Sequence, residues 1–101
     1  MNREFKTVAS GVDKGHPFLI RRVESALLGA YHLIYVDIPL DHPWAGIRDG
    51  EELPASVSVT FSEKHGDKWR LGCDTLGVDN YAAAVEICRN LVDDVDASYV
   101  F

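Results

Sequence analysis

The run Asp41-His42-Pro43-Trp44 puts a carboxylate, an imidazole and an indole side by side. An ordered loop of this composition would present a histidine next to an aromatic surface, an arrangement suited to binding or to proton transfer. The plainer alternative is that Trp44 plugs an open side of the core with His42 hydrogen-bonded nearby. A second reactive pair is Cys73-Asp74. If the chain were an enzyme, it would be a small hydrolase or metal-dependent enzyme centred on His42 and Asp74, with Cys73 as the candidate nucleophile. No metal or other cofactor is expected. Zinc needs about three or four convergent ligands, and Asp41, His42, Cys73 and His32 show no recognised ligand spacing. The glycines are scattered, with no phosphate-cradling loop and no dinucleotide fingerprint.

The acids offer a different chemistry. The formal net charge is -6, from 16 acidic and 10 basic residues. Asp37, Asp41, Asp49, Glu51 and Glu52 stand against Arg48 alone in residues 37–52, and Asp74, Asp79, Glu86, Asp93, Asp94 and Asp96 against Arg89 alone in residues 74–101. Such a balance disfavours nucleic acid and anionic membranes, which need phosphate-neutralising charge. It suits a protein partner with a basic surface, reached by electrostatic steering; a merely soluble surface is the bland alternative. The residues proposed for binding are Asp41, His42, Trp44, Asp49, Glu51, Glu52 and Asp74. A homo-oligomer is compatible with the same composition.

The elements that must position these groups are read from periodicity. Gly29–Ile38 is rich in aromatic and β-branched residues and is stopped by Pro39, which predicts a central strand. His32, Ile34, Val36 and Ile38 take one face of it, and Tyr31, Leu33 and Tyr35 the other. Residues 39–55, with three prolines and two glycines, predict a long loop, a place where function gathers. Val57, Val59 and Phe61 alternate with Ser and Thr; Trp69, Leu71 and Cys73 alternate with Arg70, Gly72 and Asp74. The pair predicts an antiparallel hairpin whose apolar faces share a side, turning at Glu63–Lys68 with His65 and Gly66 in the turn. After Asp79, a good N-cap, apolar residues recur at helical spacing over 80–95. Residues 1–17 are weakly patterned and predict a loosely ordered N-terminal arm with a short strand around Phe5–Ala9. Val23–Leu28 is compatible with a helical turn or a strand. The fold class that follows is α+β in one domain, residues 1–101: an antiparallel sheet of three or four strands with a C-terminal amphipathic helix on one face.

Two cysteines at inward positions and no N-terminal apolar segment predict buried thiols in a reducing, cytoplasmic setting. No stretch is long enough to span a membrane. Taken together, Gly29-Ala-Tyr31, Asp41-His-Pro-Trp44 with Gly46, Val57-Ser-Val-Thr-Phe61, Trp69-Arg-Leu-Gly-Cys-Asp-Thr75, Asp79 and the following helix resemble a family of small uncharacterised bacteriophage and prophage proteins. The resemblance covers about two-thirds of the chain, in order. It departs from the family where a His-Gly-Gly step is replaced by Ser56-Val-Ser58 or its neighbours and a Cys-Ala-His step by Asp74-Thr75-Leu76, so most of the histidines that would carry any family chemistry are lost. The resemblance implies a bacterial host cell and no established activity. The function expected is a small acidic protein-binding module, phage-encoded and acting on a host protein, with the hydrolase and an accessory subunit of an oligomer as alternatives.

Overall fold

The computed structural model describes residues 3–27, 29–46, 59–75 and 81–98. The first elements are β1 (Arg3–Asp13) and β2 (His16–Ser25), antiparallel and joined by Lys14-Gly15. Both turn residues have positive φ, 51° and 80°, as a tight type I′ hairpin turn requires. Glycine meets that demand without a Cβ clash, and Lys14 is the residue that carries the strain. This long hairpin replaces the loose N-terminal arm expected from sequence. Its pattern is obscured because a register shift between Thr7 and Ala9 swaps the face on which apolar residues fall.

Next come β3 (Gly29–Pro39), β4 (Phe61–His65), β5 (Lys68–Asp74) and the single helix α1 (Tyr81–Ser98). The sheet has five strands in the order β1-β2-β3-β5-β4, every neighbour antiparallel. The count exceeds the expected three or four because β1 and β2 are both full strands. The ladder between β2 and β3 ends at Phe18 opposite Val36, next to Pro17, which has no N–H to extend it.

The β4–β5 hairpin forms, with two differences from expectation. Its turn is only Gly66-Asp67, with Gly66 at φ 64°, so Glu63, Lys64 and His65 lie in β4. Moreover Phe61 pairs with Gly72 and Ser62 with Leu71, so the apolar residues of the two strands point to opposite faces. Phe61 instead meets Tyr35 edge-on, with centroids 5.5 Å apart, on the face away from the helix. Gly72 makes room for this: a Cβ there would lie 2.9 Å from Tyr35 Cδ1 and 3.1 Å from Phe61 Cβ. The earlier part of the serine-rich segment, residues 56–58, and the proposed cap Asp79 lie outside the described residues.

The core lies between the sheet and α1. Ala84, Cys88, Leu91, Val92 and Val95 form the buried stripe of the helix. They pack on Ile20, Ile34, Val36, Ile38, Leu71 and Cys73, with Trp44 closing one end. The helix runs to Ser98, three residues past the expected boundary. Its acids near the C-terminal end oppose the helix dipole; Lys14 meets Asp93 at 2.7 Å and His16 meets Asp96 at 3.3 Å. The hairpin turn thus supplies donors that α1 itself lacks in its last turn.

Candidate binding site

The Asp41–Trp44 cluster is ordered by its own backbone. His42 N–H donates to the Pro39 carbonyl and Ala45 N–H to the His42 carbonyl, curling the chain back over the end of the core. Trp44 is buried and stacks edge-on with His42, ring centroids 5.7 Å apart. Trp44 N–H donates to His42 Nδ1 at 2.9 Å, which places the imidazole proton on Nε2, facing the Val95 carbonyl at 2.9 Å. Burial pushes His42 below the ordinary histidine range; the Val95 carbonyl opposes that shift, and nearby His16 reinforces it. The ring is therefore neutral and joins the loop after β3 to the last turns of α1. His42 and Trp44 are buried parts of the frame, and only Asp41 of this cluster is exposed together with Pro43.

The residues named for the enzyme alternative are not brought together. Asp74 lies opposite Leu33. His42 follows Pro39, about 20 Å farther along the strand at roughly 3.3 Å per residue. Cys73 lies on the helix side opposite Ile34, and burial pushes its thiol up to about 12. Cys88 is raised to about 11 by the same cause. Both cysteines are buried and free, and thiols so shifted carry little nucleophilic thiolate near neutral pH. Among the described residues, no three His, Cys, Asp or Glu side chains cluster to hold a metal ion. No helix among them is long and apolar enough to cross a membrane.

The acids are partly engaged within the fold. Asp37 takes two hydrogen bonds from Arg70, at 2.7 and 3.0 Å, and the Arg70 guanidinium sits over the Tyr35 ring. Lys14 and His16 of the hairpin meet Asp93 and Asp96, while Asp41, Glu63 and Glu86 are exposed. Asp49, Glu51 and Glu52 lie outside the described residues.

What sequence reasoning missed is a groove between α1 and the β1–β2 hairpin. It has a volume of about 420 Å³ and is lined by Ala9, Val12 and Asp13 of β1, Phe18 and Ile20 of β2, and Tyr81, Val85, Cys88 and Arg89 of α1. Tyr81 is 49% exposed at the groove; Val12, 67% exposed, alternates with Gly11 and Asp13 and so directs its side chain to the opposite face of the sheet. The groove exists because the residues of β1 on the helix side are small. Ala9 pairs with Ile20 and Gly11 with Phe18, and the Phe18 ring lies 3.2 Å from where a Gly11 Cβ would be. Among the described residues, no strand pairs with the outer edge of β1. The two-residue turn makes Asp13 and His16 a hydrogen-bonded pair, and alternation along the ladder then turns the N–H and C=O of Ser10 and Val12 outward. The available signal was Asp13-Lys-Gly-His16, a two-residue turn between segments that each reach the sheet. No protein-family model, curated protein or solved structure matches the chain.

Proposed function

We propose that this chain is a protein-binding module that takes a segment of its partner as an added strand on the outer edge of β1. One observation carries the reading: an edge that no described strand pairs with, its backbone donors and acceptors turned outward, borders a groove lined mostly by apolar residues. Strand addition draws affinity from main-chain hydrogen bonds and selectivity from pockets that receive alternate side chains, and both are on hand here. The net charge of -6 favours a partner with a basic surface and speeds its approach. Buried free thiols and the resemblance to phage proteins support a partner met in the cytoplasm of a bacterial host.

The test places a photo-crosslinking amino acid at position 12 and, as a control, at Leu27, which is 90% exposed at the other end of the hairpin. A discrete adduct is expected from position 12 alone. The captured protein, purified and returned to the unmodified chain, should slow amide exchange at Ser10 and Val12. Equal labelling from both positions, or a captured protein that leaves those amides unprotected, overturns the reading.

A further inference from the structure

The chemistry of the segment that fits this edge can be read from the register of β1; this deepens the strand-addition reading and rests on it. An added strand would hydrogen-bond through Ser10 and Val12, leaving Gly11 and Asp13 in non-hydrogen-bonded pairs, where facing side chains approach most closely. Residues opposite Gly11 and Asp13 lie two apart in the added strand, and both point to the helix side, as Gly11 and Asp13 do. Gly11 offers no side chain; the Phe18 ring lies 3.2 Å from where its Cβ would be, and Val85 and Cys88 line the groove that Phe18 also lines. A large apolar side chain at that point covers the edge glycine and fills the groove. Opposite Asp13 the cross-strand neighbour is a carboxylate, and an opposite charge is the stabilising pair. Arg89 also lines the groove, from the helix wall, and is exposed.

We infer that the β1 edge selects an extended peptide in which a large apolar residue and a lysine or arginine are spaced two positions apart. The apolar residue covers Gly11 and the basic residue meets Asp13. Charge complementarity names the occupant: a carboxylate on the strand wall, in a chain of net charge -6. In the antiparallel sense the order is basic residue first, apolar residue second.

The experiment titrates the full chain with capped seven-residue peptides of threonine carrying lysine, one spacer and leucine at the centre, read by amide shifts and exchange. Replacing the leucine with serine should weaken binding about tenfold, as expected for losing one buried aliphatic side chain. Replacing lysine with glutamate, or moving it next to leucine, should weaken binding at low ionic strength. Asp13→Asn should erase the difference between the lysine and glutamate peptides. Val12→Pro removes an outward N–H without touching the ladder to β2 and should weaken every peptide. If leucine and serine peptides bind alike while Ser10 and Val12 are still protected, the anchor inference falls and the strand-addition reading stands. If no peptide protects those amides, both fall. Protection that grows with protein concentration in the absence of peptide assigns the edge to a second copy and overturns the inference.

Discussion

Single residues here do structural work that their types do not announce. His42 looks like a catalytic group, yet both ring nitrogens are spent on the frame: Nδ1 accepts from Trp44 and Nε2–H faces the Val95 carbonyl. His42→Ala leaves a buried donor and a buried acceptor without those bonds and should destabilise the fold by about 2–4 kcal/mol, measured by urea denaturation. A loss near zero would mean that water replaces the ring. Gly72→Ala is the opposite test, adding one methyl where Tyr35 and Phe61 already close the space; overpacking should cost about 1–3 kcal/mol, and Phe61→Ala in the same chain should recover part of it. Cys73 and Cys88, raised by burial to about 12 and about 11, should resist alkylation by iodoacetamide at neutral pH until the chain unfolds; rapid labelling of the folded protein would show that the helix opens readily. Of these roles, the apolar placement of both cysteines was legible in the alternation around them. The partners of His42 were not, since they depend on Val95, which lies 53 residues away.

At the scale of elements, legibility tracks pattern. β3 and α1 were readable because each repeats its apolar residues at one period over many residues. β1 was not, because the irregularity between Thr7 and Ala9 breaks the period in the middle of the strand. The β4–β5 pairing was readable as a hairpin, but its register was not: Phe61 is apolar and on the far face, a choice made by Tyr35 and Gly72 rather than by alternation. The groove followed β1 into obscurity, since it is bounded by that strand. The joint between α1 and the loop after β3 has its own pH dependence. Burial lowers the folded-state affinity of His42 for a proton, so the unfolded chain binds the proton more readily. Its stabilising contribution is therefore full above the unfolded value of about 6.5 and declines as pH falls below it. The melting temperature should drop between about pH 7.5 and pH 5, and the drop should shrink in His42→Gln. An equal drop in the variant would assign the effect to other groups.

For the whole molecule, the decisive asymmetry is between the two edges of the sheet. β4 ends one side after five residues, whereas β1 runs for eleven. Charge should act at this scale as well. Association with a basic segment should weaken as salt is raised, through a slower on-rate more than a faster off-rate; a salt-independent on-rate would remove electrostatic steering from the account. A long edge that no described strand pairs with also invites the chain to grow by stacking on copies of itself, the route to fibrils. The irregularity at Val8 answers that hazard. By flipping the side-chain faces between Thr7 and Ala9, it cuts the edge into two short runs that no single straight strand can follow in register. The regular run from Ala9 to Asp13 is then short. Restoring a regular ladder by deleting Val8 should therefore raise aggregation, measured by light scattering as the protein is concentrated.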